Sequence, residues 1–334
     1  MIAKVLDWLG FGPRGHGQHD EDHAHGHTHG VMDPTIVTTA RGIWAIKWSF
    51  LILAATAALQ LVVVYASHSV ALLADTIHNI ADAGTAIPLW VAFMLARRKP
   101  TQTFTYGYGR VEDFAGLAIV VIILLSALVA GYEAIDRLIH PRLVMQLGWL
   151  AAAGVIGFLG NEAVAVFRIR VGRQINSAAL IADGYHARTD GLTSLAVILG
   201  AFGVWMGYTL ADPIIGLIIT VVILGIVWQS AKAVLTRMLD GVERSTIDEL
   251  HHAAQHGSVE SVRARWLGHR LYAEMTLAVD PTLSLVDARK IAEDVRAHAR
   301  GHLPALASLH VELVPASSPP RSEPRPESEY QHHH

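Results

Sequence analysis

Two stretches of the chain carry the same order of ionisable residues. Ala74-Asp75-Thr76-Ile77-His78-Asn79-Ile80-Ala81-Asp82 and Ala182-Asp183-Gly184-Tyr185-His186-Ala187-Arg188-Thr189-Asp190 both read A-D-x-x-H-x-x-x-D. A spacing of four places His and Asp one turn apart on one helix face. Two such helices facing each other supply two imidazoles and two carboxylates, enough for a tetrahedral zinc-type site. Asp75 and Asp183 lie three residues before their His, so each stripe holds three ionisable groups. By spacing alone, either Asp of a trio could be the ligand, the other orienting it or relaying protons. The competing reading is polar packing between spans. One Asp would allow that, but each ionisable group near mid-bilayer costs ~3 kcal/mol or more unless paired or hydrated. Four Asp and two His in matched positions favour a metal site.

The elements that must hold these residues are membrane helices. Of 334 residues, 52% are hydrophobic and 16% charged, against about 25% charged in a typical soluble domain. Six apolar spans are expected near 43–65, 70–95, 113–136, 147–168, 178–206 and 212–235, each with about the 20 residues a bilayer crossing needs. The second, fourth and fifth are interrupted by polar groups, where function is to be sought. Arg97, Arg98, Lys99, Arg110, Arg168, Arg170, Arg173, Lys232, Arg237 and Arg244 fall on one side. Arg137 and Arg142 fall on the other, so both termini are expected in the cytoplasm. No cleavable signal peptide is expected at the start.

Composition also excludes. A net charge of −3 gives no case for nucleic-acid binding, and the absence of cysteine rules out disulfides and thiolate chemistry. The 20 His then point to ions that accept imidazole, namely zinc, cobalt, nickel or copper(II). A catalytic metal centre would keep a coordination position open for water. Four protein ligands close the shell and no H-E-x-x-H pattern occurs, so an enzyme is not expected. A metal sensor or buffer would bind without flux.

Residues 1–40 hold a His run from His16 to His29, expected to be disordered and to collect metal loosely. Residues 239–316 read as helix, strand, strand, helix, strand. The first helix is expected over Ser245–His256 with Ser245 as N-cap, and strands over Val259–Trp266 and Leu271–Val279 around a Gly268-His269 turn. The second helix is expected over Leu285–Arg300 and the last strand over Ser308–Val314. Residues 317–334 are Pro/Ser/Glu-rich and expected to be disordered, with His332–His334 set aside as a tag.

LLADxxHxxxD in the second span, YGYGRVE entering the third, ADxxHxxxD in the fifth and the trailing α+β segment resemble the cation diffusion facilitator family of zinc-efflux transporters over residues 41–315. The resemblance implies an all-α bundle of six transmembrane helices with a small cytoplasmic α+β (ferredoxin-like) C-terminal domain. It implies a homodimer and, in a bacterium, the inner membrane. It assigns the four ligands to His78, Asp82, His186 and Asp190, leaving Asp75 and Asp183 outside the ligand set. His at the first ligand position resembles zinc-preferring members, with cadmium or cobalt also admitted. Because ligating His is neutral and ligating Asp ionised, metal binding releases protons, and metal/proton antiport by alternating access is expected.

Arg110 and Asp240 resemble a family charge pair at the membrane–cytosol boundary. Asn161 resembles the family at its place in the fourth span and, with Glu162, is expected to line the metal path, whereas Glu133 and Asp136 are expected at the outer interface. Phe104-Thr105-Tyr106-Gly107-Tyr108-Gly109 occupies the loop where some relatives carry another site. Arg263, Thr276 and Arg289 stand where others bind metal in the cytoplasmic domain, with His310 and Glu312 as remnants. His269 lies near that set without aligning to it.

Overall fold

The computed structural model describes residues 34–67, 76, 84, 86–140, 147–208, 210–254 and 258–316. The N-terminal His run, His78, Asp82, Asp75 and His332–His334 lie outside the described residues. Contacts divide the chain into two units, Met1–Val242 with Arg265–Leu271, and Glu243–Ala264 with Tyr272–His334.

Among the described residues, six helices build the first unit: α1 (Pro34–Ser67), α2 (Ala86–Ala96), α3 (Arg110–Ile139), α4 (Leu147–Gln174), α5 (Ala178–Trp205) and α6 (Ala211–Met238). Among the described residues four of them, α1, α3, α4 and α6, are long and apolar enough to cross a membrane. The fifth, α5, is as long as α4 at 28 residues but carries Asp183, Arg188 and Asp190. Of the expected second span, 70–95, only Thr76 and the stretch of α2 from Ala86 to Leu95 are described as helix, because most of 70–85 lies outside the described residues.

Outward faces of α1, α3 and α6 expose Leu51, Val62, Leu125, Val129, Ile218 and Val221. Inner faces bury Phe93, Ile119, Ile123, Leu180 and Ile223 in one cluster. An apolar exterior around a packed interior is what a bilayer as solvent demands, since no water is present to reward polar groups on the outer face.

The fifth helix, α5, is held by close approach. A Cβ added at Gly184 of α5 would stand 2.7 Å from Ile169 Cγ1, and one at Gly172 of α4 would stand 2.8 Å from Ile181 Cγ1. Only glycine lets these two helices meet so closely, the small-residue packing expected where helices gain nothing by leaving lipid. As a result α5 is buried almost without interruption from Ala182 to Gly191. Its start is fixed by Ser177, whose hydroxyl accepts from Leu180 N at 3.0 Å as an N-cap.

The second unit holds α7 (Arg244–Ala253) and α8 (Leu285–His302), with most of β1 (Ser258–Leu267) and β2 (Arg270–Val279) and all of β3 (Leu306–Pro315). The sheet order is β1-β2-β3. Thr276 meets Ser261 on one side and Glu312 on the other, and Ala316 N bonds Val279 O. The pairs Thr276–Glu312 and Val279–Ala316 advance together along both strands, so β2 and β3 run parallel, joined by α8 in a β-α-β crossover.

In the second unit the expected and observed elements agree in type and order. Ser245 is not the N-cap of α7, however. The helix starts one residue earlier, and Glu243 is its extended cap residue, without a side-chain capping bond. The helix also stops at Ala253, short of His256. On α8 the cap is regular: Ser284 accepts from Asp287 N at 3.1 Å.

Candidate metal site and its surroundings

His186 and Asp190 lie one turn apart on α5, with His186 Nδ1 3.8 Å from Asp190 Oδ1. The imidazole is 2% exposed and the carboxylate 14%. Both are therefore withdrawn from the outer surface, on the half of α5 that packs into the bundle. Thr189 Oγ1 donates to His186 O at 2.7 Å, and Thr193 and Ser194 hydroxyls donate to Asp190 O at 2.8 and 3.1 Å. These hydroxyls satisfy themselves on the backbone of their own helix.

The other charges on this helix have fixed partners. Asp183, fully buried, forms an ion pair with Arg168 of α4 at 3.0 Å, itself 2% exposed. Arg188 makes a two-pronged contact with Glu162, Nε to Oε2 at 3.1 Å and Nη2 to Oε1 at 2.7 Å. Paired, buried charges are the form in which a low-dielectric interior tolerates ionisable groups. Of the three ionisable groups on the A-D-x-x-H-x-x-x-D stripe of α5, the first Asp is thus taken by arginine, while His186 and the second Asp stand together.

Glu162, expected to line a path with Asn161, is the counter-ion of Arg188. Asn161 is buried on α4, and a Cβ at Gly191 would touch its Cβ at 3.5 Å, so it lies beside the residue that follows Asp190. Glu133 and Asp136 pair locally with Arg137 and His140, and Arg137 also reaches Asp212 at 3.1 Å. Arg110 contacts Asp240 through its guanidinium, with further bonds to Arg237 O and Met238 O at 3.4 and 3.2 Å.

One constellation had no counterpart in the sequence reading. Glu112, in the YGYGRVE segment, is buried in the first unit and accepts from Ser177 Oγ at 2.5 Å. Its other oxygen lies 2.7 Å from His269 Nδ1, and His269 Nε2 lies 3.0 Å from Thr39 Oγ1. Asp113 accepts from Gly268 N at 3.2 Å. Gly268 has φ +61°, and a Cβ there would stand 2.6 Å from Glu112 Oε2, so the turn needs glycine for both conformation and room. His269 is thus a buried hydrogen-bonding residue tying the starts of α1, α3 and α5 to the hairpin tip.

Among the described residues, no group of three or more His, Asp or Glu is gathered as it stands into a ready metal-binding set. On α8 Arg289 pairs with Glu293, and in the sheet Thr276 lies between Ser261 and Glu312.

Comparison with known proteins matches residues 46–239 to the cation efflux transmembrane domain and residues 239–314 to the cytoplasmic domain of cation efflux proteins. A Mycobacterium tuberculosis protein named "Probable cation efflux system protein" is 50% identical over 316 residues, 89% of this chain and 95% of its own. The magnetosome protein MamB of Magnetospira sp. is 26% identical, covering 82% of this chain and 94% of its own. The manganese efflux system protein MneS of Bacillus subtilis is 22% identical, covering 77% and 90%. A solved nickel form of a MamM CTD variant is 29% identical over 22% of this chain and all of its own, with a TM-score of 0.22.

Proposed function

The chain belongs to the cation diffusion facilitator family, and on that premise we propose that the metal cation it exports is zinc, carried through a site of His78, Asp82, His186 and Asp190. Export of divalent metal cations by an integral membrane protein follows from the family. The observation that carries the finer reading is the sorting of charges on α5. Asp183 is neutralised by Arg168 and Arg188 by Glu162, while His186 and Asp190 are set side by side in the buried stripe.

The donor chemistry favours zinc. Two imidazoles and two carboxylates make a closed tetrahedral set for a borderline ion, whereas all-oxygen sites suit manganese or magnesium. Cadmium and cobalt accept the same donors. Each His must be neutral and each Asp ionised to ligate, so loading releases protons and an acidic exterior favours unloading. Metal/proton antiport follows if the six spans alternate in exposing the site to the two sides. The family's C-terminal domain and the basic bias of the loops support a homodimer in a bacterial inner membrane with both termini cytoplasmic. The His16–His29 run serves as an auxiliary collector on the cytoplasmic side.

The test is zinc flux in proteoliposomes with and without an imposed pH gradient, set beside cadmium, cobalt and manganese. Zinc flux driven by an outward-acidic gradient and lost in Asp190→Ala and Asp82→Ala is expected. Flux indifferent to the gradient would remove the proton coupling. Substantial zinc flux in Asp190→Ala would remove the site, and preferential manganese flux would remove the zinc assignment.

A further inference from the structure

A group of side chains in the second unit takes no part in the transport site. α8 packs against α7, and their facing sides bring three imidazoles together, His252 from α7 and His298 and His302 from α8. Ring centres lie 4.7 Å apart for His298 and His302, 5.8 Å for His252 and His302, and 6.2 Å for His252 and His298. Glu249, one turn before His252, reaches His302 with Oε2 3.5 Å from Nδ1. Each helix thus offers a pair at chelating spacing, Glu249 with His252 at i,i+3 and His298 with His302 at i,i+4, the separations that put side chains on one face.

Helix-end electrostatics account for part of this arrangement. Both helices end here, and cationic His in a last turn complements the negative end of the helix dipole. That explanation covers His252 and His302 one at a time. It gives no reason to gather three imidazoles, because their protonated forms repel one another and only one carboxylate offsets them. Three neutral imidazoles and one carboxylate are, by contrast, a full donor set for a tetrahedral zinc-class ion. The rings are tilted against one another and form no ready metal group as they stand. His252 and His302 are exposed and His298 half-buried, so side-chain rotation towards a common centre is open to them.

We propose that Glu249, His252, His298 and His302 form a second metal site, for a divalent zinc-class ion, on the helical side of the C-terminal unit. It is separate from the strand positions Arg263, Thr276, His310 and Glu312. A bound ion clamps α7 to α8 at their C-terminal ends and leaves the sheet untouched.

The test uses the full-length protein in detergent and cobalt(II) as the only added probe. The His-rich N-terminal run and the intramembrane ligands also bind cobalt, so the site is read by difference. His252→Ala and the double variant His298→Ala/His302→Ala are each compared with the parent, and again in a chain carrying Asp82→Ala and Asp190→Ala. Loss of one cobalt equivalent per protomer is expected in both backgrounds, with loss of one tetrahedral component from the visible absorption spectrum. The metal-induced rise in melting temperature should shrink, while the metal-free melting temperature stays as in the parent. Unchanged cobalt stoichiometry in the double variant overturns the site. If that variant does not fold, His302→Gln, which keeps a neutral polar side chain at an exposed position, gives the same reading. A wrong assignment of the intramembrane ligands would alter the second background only and leave the His252 and His298/His302 differences intact.

Discussion

Truncating His269 to alanine should destabilise the first unit by an amount the structure sets. The imidazole and the Glu112 carboxylate are 2% and 1% exposed and 2.7 Å apart. Removing the ring leaves Glu112 buried with Ser177 as its remaining hydrogen-bond donor of the pair described. Breaking one partner out of a buried pair costs about 3–5 kcal/mol. A loss of about 3–5 kcal/mol is therefore expected for His269→Ala. Most of it comes from a stranded charge, so Glu112→Gln in the same chain should recover part of it. A double-mutant cycle on unfolding in mixed detergent micelles measures that recovery, and a coupling of about 1–3 kcal/mol is expected for groups in direct contact. If the two losses add to within about 0.5 kcal/mol, the two residues are energetically independent, and the reasoning from burial and contact is refuted.

Three more outcomes follow from the same kind of contact. Arg168→Ala should strand the fully buried Asp183 and cost about 3–5 kcal/mol; added Asp183→Asn should restore much of the melting temperature, and no restoration would deny the pairing. Gly184→Ala should push Ile169 from a 2.7 Å overlap and cost about 1–3 kcal/mol by overpacking, read as a lower melting temperature and reduced metal flux together. Arg110→Asp should impair transport by like-charge opposition to Asp240, and Arg110→Asp/Asp240→Arg should recover it; because Arg110 is 35% and Asp240 47% exposed, the stability change should stay within about 1 kcal/mol.

What could be read along the chain was what local spacing encodes. The H-x-x-x-D stripe of α5, the order of elements in the C-terminal unit and the glycine turn at Gly268 all follow from rules that act within a few residues. The partners of the buried charges do not. Arg168 meets Asp183 across fifteen residues, Glu162 meets Arg188 across twenty-six, and Glu112 meets His269 across more than 150. Each pairing is chosen by how helices and hairpin pack, and several other arginines and glutamates were equally placed by sequence. Glu162 shows the consequence, since a carboxylate interrupting an apolar run carries no local sign of which guanidinium it meets. His269 was the least legible, because a His beside a turn glycine carries no local sign that it will be buried. His78 and Asp82 rest on the repeat and the family resemblance, outside the described residues.

Ser177 sets how deep the proposed ligands on α5 sit. Its single hydroxyl is shared, donating to Glu112 on α3 while accepting from Leu180 N at the start of α5. That pins the first turn of α5 to a fixed level on its neighbour. At 1.5 Å per residue, His186 then lies about 14 Å and Asp190 about 20 Å further along the axis. Ser177 is in effect the zero mark of a ruler on which the two side chains are graduations. One residue inserted between Ser177 and His186 would keep every donor and every hydrophobic residue, yet turn the pair about 100° around the helix. The chemistry would survive in composition and be aimed at the wrong wall.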